Sequence, residues 1–522
     1  MIVCGLLFAA TTVNAGDPPK APVIIGIEHA LSERMLAPQA PKSVWSIFQR
    51  TPTPTTVQSL DLGDGFSLVS DRNDLTGALL EVSVTAQQWS ELTDVNYFLP
   101  QLKELTNRVY SKFNDDFDFV FFVLNAPMDD NTKSQLGFYG LNSRVSNNVT
   151  GLGVGKHDFT AEWGSQGKLI STIYLPSYDA ISGGPALHEM LHSWGTFICP
   201  TFDVGNRQYL GHWGISNANG QAGGFKYLRV VEENSGGEEG KTLYQASRRP
   251  ETNRDGSFKF GGFGINANDA NSTPYSDIEL YLMGLISDDE LRNANFQLDV
   301  YSKNEYDPAA FADGYFYSMA KKTYTIDDLI ARNGRRNPDA STSQKEFRVL
   351  TVVLTPETAE ANYMSDIMRD INWLAGSVSD KTYPNLYNFR QATENRGSLI
   401  VNDLINSLIT PVTWDIDENE AEEEPVIEDV IIADVTPEGG EDGNTIEAYV
   451  YPNPTDGIFT LEYEAQSESY VVTISDSRGV TVLRTVATDN LIQINLVGLP
   501  AGMYLLTIED GTNILTERVI KK

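Results

Sequence analysis

Cysteine is nearly absent from this chain. Its 522 residues include two, Cys4 and Cys199, and Cys4 lies where a leader would be removed, so the mature chain carries one thiol. A disulfide framework and a cysteine metal cluster are therefore excluded. Histidine is scarce too: His29, His157, His188, His192 and His212 are the whole supply. Basic residues are outnumbered, with Lys+Arg 38 against Asp+Glu 71 and a formal net charge of −33. Such a surface repels phosphate backbones and anionic headgroups, which argues against nucleic-acid binding. Beyond the first residues no stretch reaches the run of about 18 apolar residues that a membrane-spanning helix needs, so no transmembrane segment is expected. What is present, 41% hydrophobic and 21% charged residues, builds real cores, and the length predicts two to four domains at roughly 100–200 residues each.

Both ends carry processing signals. Ile2 to Val13 is a short apolar run followed by Val13-Asn14-Ala15, a signal-peptide pattern with cleavage after Ala15 and without the usual basic start. Between Asp415 and Glu447 stand 14 acidic residues and no Lys or Arg, a composition that repels itself and stays extended as a linker. Beyond it, Tyr451-Pro452-Asn453-Pro454 precedes alternating runs such as Tyr470 to Ser475, Leu491 to Leu496 and Met503 to Glu509, separated by turns. Short strands at even spacing predict a small β-sandwich.

That segment resembles the C-terminal sorting domain of type IX secretion cargo. The shared features are the YPNP entry, SDSRGV at Ser475 to Val480, LPAGMYLLTI at Leu499 to Ile508 and the basic end Lys521-Lys522. The resemblance implies export through periplasm and outer membrane to the medium or the cell surface, with the type IX machinery as partner.

The chemistry concentrates upstream. Leu102, Leu105, Val109 and Phe113 fall at helical spacing, Asp118 to Leu124 reads as a buried strand, and Lys168 to Leu175 alternates as a further strand. Ser182-Gly183-Gly184-Pro185 breaks it ahead of a helix carrying His188-Glu189-Met190-Leu191-His192. Histidines at i and i+4 project from one helix face about 5–6 Å apart, within reach of one zinc ion. Zinc on three protein ligands keeps a position for water, and the neighbouring Glu189 carboxylate can take that water's proton as it attacks a carbonyl. By chance this pattern arises on the order of a few times in a thousand such chains.

The third ligand is open at this level. The metzincin position six residues past His192 is Ile198, so that spacing is excluded. His212, in Gly211-His212-Trp213-Gly214, is the first choice; Glu279, or Glu232 or Glu233, would complete a carboxylate-bearing site. Tyr275 to Leu285 reads as a core helix ending at Gly284, with Met283 as a candidate residue under the metal. Trp194 and Trp213 are expected to pack around the site. Phe347 to Leu354 reads as a strand, Tyr363 to Ala375 as a helix and Leu399 to Leu408 as a second helical stretch.

The strand–turn–helix with HExxH resembles the zincin metallopeptidases. This implies an α+β zincin-like metallopeptidase domain followed by a small all-β sandwich C-terminal domain. The expected segments are a signal peptide over 1–15, a β-rich N-terminal region over 16–90, the metallopeptidase domain over 91–412, the acidic linker over 413–447 and the sorting domain over 448–522. The expected function is a secreted zinc-dependent endopeptidase with His188, His192 and His212 on Zn2+, Glu189 as general base, and a protein or peptide substrate. The rival is a non-catalytic surface-binding protein with a vestigial metal site.

Overall fold

The computed structural model describes residues 57–71, 74–198, 211–248, 251–252, 258–268, 270–302, 313–357, 363–377, 383, 386–412 and most of 448–521. The leader, the acidic linker, Cys199 and the YPNP prolines lie outside the described residues. The chain divides into two compact units, essentially Met1–Val412 and Thr413–Lys522.

In the first unit the strands β1 (Val57–Gly63), β2 (Phe66–Asp71), β3 (Asp74–Val84), β4 (Phe119–Leu124), β5 (Leu141–Arg144), β6 (Ser171–Leu175), β7 (Glu346–Pro356) and β8 (Ser398–Ile400) form one eight-stranded sheet in the order β1-β2-β3-β7-β4-β6-β5, with β8 on β7. Its centre is parallel: β7 pairs with β3, β4 and β8, and β4 with β6, all in the same direction. Its flanks are antiparallel, β1–β2–β3 at one side and β5 on β6 at the other. Every residue of β4 and β6 is buried, which is why they read as continuous apolar runs instead of alternating ones. The helices α1 (Phe98–Val109), α2 (Ala186–Leu191), α3 (Asp277–Met283) and α4 (Met364–Leu374) pack their apolar residues into cores of this unit.

The expected fold class is corrected. The α+β zincin-like class does not describe this chain: the described residues are mainly β-sheet, organised by the eight-stranded mixed sheet, and no described helix exceeds the 12 residues of α1. Several apolar stretches that fit a helical period are shorter or extended in the fold. Leu399 to Leu408, expected as a helix, contains β8 and a 3-10 turn at Ile405–Ser407, because pairing with β7 satisfies its backbone where a lone helical turn would not. The strands β1, β2 and β3, from the segment read as a β-rich N-terminal region over 16–90, belong to the first unit's sheet.

In the second unit β9 (Ala448–Tyr451), β10 (Ile458–Tyr463) and β13 (Leu491–Asn495) make one antiparallel sheet. The strands β11 (Tyr470–Asp476), β12 (Thr481–Ala487), β14 (Gly502–Asp510) and β15 (Asn513–Lys521) make the other, in the order β12-β11-β14-β15. Alternate residues of both sheets, among them Phe459, Leu461, Val472, Ile474, Leu506 and Ile508, fill a single core. Tyr463 donates to the Asp510 carboxylate across it at 3.0 Å.

Candidate metal centre

Helix α2 follows β6 through the glycine-rich turn and is buried at every position. Leu187, Met190 and Leu191 face the main core. Neighbouring elements hold the helix in place. The Tyr275 hydroxyl donates to the Leu187 carbonyl at 2.8 Å. From the edge strand β5, the Asn142 amide donates to the Glu189 carbonyl at 2.6 Å and to Ser193 Oγ at 3.0 Å. Ser193 Oγ in turn lies 2.9 Å from Ser171 Oγ on β6. Both sheet strands beside the helix thus bond to its last turn.

His188 and His192 project from one face, as the i, i+4 spacing requires, and the loop after residue 210 brings His212 to them. The candidate ligand atoms of the three imidazoles lie within 4.8 Å of one another, and all three residues are buried. The His188 and His212 rings stack at 5.4 Å between centroids with 13° between planes, while His192 meets each of them edge-on at 89°. Nε2 of His188 and Nε2 of His192 are 3.0 Å apart, close to the roughly 3.3 Å that two ligands at 2.0–2.1 Å subtend in a tetrahedral site. His188 Nδ1 donates to the Gln221 carbonyl at 3.0 Å, which fixes its tautomer and makes Nε2 its candidate ligand atom. The donor chemistry fits zinc.

Glu279 is placed in a different role from that of ligand. Completely buried on α3, it accepts from the Trp213 indole at 2.9 Å, from the backbone N–H of Gln221 at 3.0 Å, of Ala222 at 2.9 Å and of Ser276 at 2.9 Å. It therefore clamps both limbs of the loop that presents His212 and the Gln221 carbonyl. Burial pushes its carboxyl above the usual range, and the four donors oppose that rise. Gly220 is required there, because a Cβ at residue 220 would collide with the Glu279 carboxylate.

Glu189, the expected base, is buried beside His188 with its side chain against Gly140, the residue before β5. A Cβ at position 140 would stand 2.9 Å from Glu189 Cγ and 3.1 Å from Oε1, besides meeting the Pro185 ring. Glycine at 140 makes room for the carboxylate.

The remaining candidates are elsewhere. Glu232 is exposed on the strand Tyr227–Glu232 and Glu233 follows it, exposed as well; neither belongs to the three-residue cluster. Met283 is buried in the main core, but it is Leu282 that a Cβ at Gly195 would touch, at 3.0 Å. Trp194 packs edge-on against Phe119 at 5.7 Å, a core contact. His157, read from sequence as part of a solvated loop, is half-buried, stacked on Phe159 at 5.5 Å, and burial lowers its pKa. Asn142, Gln221 and Gly140 went unnoticed at the sequence level, since single polar and glycine residues carry no periodic signal.

Residues 449–522 match the family described as the secretion system C-terminal sorting domain. The second unit is a type IX secretion sorting domain. It engages the type IX machinery, and the protein is secreted or held at the cell surface. No helix among the described residues is long and apolar enough to cross a membrane. No curated protein matches the chain. Among solved structures, a DUF3244 family protein with an immunoglobulin-like β-sandwich fold from Bacteroides vulgatus aligns over 15% of this chain and 95% of its own, at 19% identity and a TM-score of 0.13, too low to compare folds.

Proposed function

We propose that this protein is a secreted zinc-dependent endopeptidase, with His188, His192 and His212 as metal ligands and Glu189 as general base. One observation carries the reading: three buried imidazoles converge within 4.8 Å, two of them from an HExxH helix that also carries the buried Glu189. Burying imidazole nitrogens is costly unless their lone pairs are used, and a divalent ion would use three of them at once. Zinc, when bound, supplies Lewis acidity and acidifies water towards neutrality. The protein's own part is to hold the three nitrogens by Gln221 and Glu279, and to keep Glu189 where it can take a proton from the attacking water and return it to the leaving amine as the C–N bond breaks.

The test is metal analysis of the purified full-length chain together with Glu189→Gln. Expected are one zinc per chain, chelator-sensitive cleavage of unfolded protein substrates, and a Glu189→Gln variant that keeps zinc and loses hydrolysis. A zinc-loaded wild type that cleaves nothing would favour the surface-binding alternative, and a wild type without zinc would remove both.

A further inference from the structure

Exposed apolar side chains are few in this protein, and they concentrate on one strand. Seven large apolar residues are exposed among the described residues, and three of them, Tyr227 at 38%, Val230 at 52% and Val231 at 44%, lie on the six-residue strand Tyr227–Glu232. That strand forms an antiparallel sheet with Thr242–Ser247 and Tyr315–Ser318 and stands at its edge, paired on one side alone among the described residues. The sheet contributes to a satellite core that includes Phe225, Ala246, Ile265, Tyr301 and Phe316. Leu228 and Val230 sit opposite Ala246 and Tyr244 in the register, so the strand carries that apolar surface out to the open edge. A bulge at Val231 sets a second valine beside it.

Edge strands open to water are usually blunted by charge or cover. Here the strand's internal cation is drawn inward: Arg229 Nε donates to Gln245 Oε1 on the neighbouring strand at 2.9 Å, and the guanidinium lies over the Phe260 ring at 4.8 Å. Beyond the strand's end the free charges are negative. Glu238 pairs with Lys241 at 3.3 Å and Glu232 accepts from Ser235 Oγ at 2.9 Å, whereas Glu233 and Glu239 are exposed with no ion pair among the described residues. The edge also begins near the metal centre. Gln221, whose carbonyl holds His188, precedes Tyr227 by six residues, and a fully extended chain of that length spans no more than about 22 Å.

Backbone N–H and C=O groups open along an edge are matched by one kind of ligand, another extended chain. The exposed valines and tyrosine ask of it alternating apolar side chains, and the unpaired carboxylates ask for Lys or Arg. We propose that the open edge of Tyr227–Glu232 is an exosite that takes up an extended apolar stretch of polypeptide substrate, flanked by basic residues, as a fourth strand of this sheet. The inference rests on the endopeptidase reading for the fate of the bound chain and on the edge alone for its capture.

Capture is measured without catalysis, by fluorescence anisotropy of the labelled peptide KVTVTVK on the zinc-loaded, full-length Glu189→Gln variant. Binding is expected, with the charge-reversed EVTVTVE about fivefold weaker. Val230→Lys with Val231→Lys, at two exposed positions, should weaken KVTVTVK about tenfold at unchanged zinc content. Glu233→Lys with Glu239→Lys should invert the preference between the two peptides, a gain that misfolding cannot mimic. Successive amides of a strand face opposite edges, so N-methylating the valines or the threonines of the probe should abolish binding in one case and spare it in the other. No binding, equal binding of the two charge forms, indifference to the valine substitutions, or equal binding of the two methylated peptides overturns the proposal. So does a wild-type dimer that the valine substitutions dissociate in sedimentation, because a second copy then occupies the edge. Cleavage of unfolded casein is the second readout. The valine substitutions should raise KM about tenfold at unchanged kcat, and a fall in kcat at unchanged KM refutes an exosite. If wild type cleaves no protein, the peptidase reading falls and the anisotropy alone decides the capture site.

Discussion

Glu279 on α3 and Arg144 on β5 are charged side chains largely withdrawn from water, one by full burial and the other beneath an aromatic ring. The carboxylate meets four donors, one indole and three backbone N–H groups. Among the described residues the guanidinium meets the Phe197 face, and its Nε and Nη1 find no acceptor. A buried charge whose hydrogen-bonding capacity is filled by the fold has nothing left to offer a ligand and serves as scaffold. One whose capacity is unfilled destabilises the resting protein and gains on binding.

The comparison is tested most severely at the ligands. His212→Ala should fail to retain zinc through dialysis, as His192→Ala should, because each removes one of three protein bonds. Glu279→Gln should keep zinc with affinity lowered about 10–100-fold, read by competition with a chromogenic chelator, since it loosens the loop without removing a ligand. Zinc lost from Glu279→Gln and kept in His212→Ala would make the carboxylate a ligand and end the contrast. Next comes Gly140→Ala at the start of β5. Its Cβ must displace Glu189, so hydrolysis should fall on the order of 100-fold at unchanged zinc content.

Stability supplies the smaller effects. Glu279→Ala strands four buried donors and should cost about 3 kcal/mol or more in denaturant unfolding. Arg144→Met should cost less than about 0.5 kcal/mol or stabilise, because it removes a buried charge that the fold does not pair. A large loss in Arg144→Met would show the guanidinium to be scaffold after all. His157→Ala should leave zinc content unchanged.

These contrasts follow what was legible in the chain and what was not. The pairing of His188 with His192 is local, set by the helical period, and His212 stood out because histidines are few. Glu279 was visible as a carboxylate but its role was not, because the donors that fill it come from residues 213, 221, 222 and 276 and no spacing rule links them. Glu232 and Glu233 drew notice for their chemistry alone and lie on an exposed strand. Arg144 carried no sequence signal, since burial without a partner is a property of packing. The strands β4 and β7 were readable from their apolar runs. The class of the first unit was not, because pairing between β3 and β7, some 270 residues apart, builds the sheet and nothing local announces it.

The clamp at Glu279 also ties the site to distant parts of the chain. The HExxH pair forms with its own short helix, but the third imidazole is held only after a segment that begins more than 60 residues later has folded back onto the loop. Metal capture in the proposed site thus depends on long-range packing as well as on the local helix. By mass action, free zinc at a thousandfold excess over its dissociation constant would then add about 4 kcal/mol to the folded state. The melting temperature of the first unit would accordingly follow the zinc available outside the cell, and a chain reaching a metal-poor surface would be the same polypeptide with a shorter lifetime.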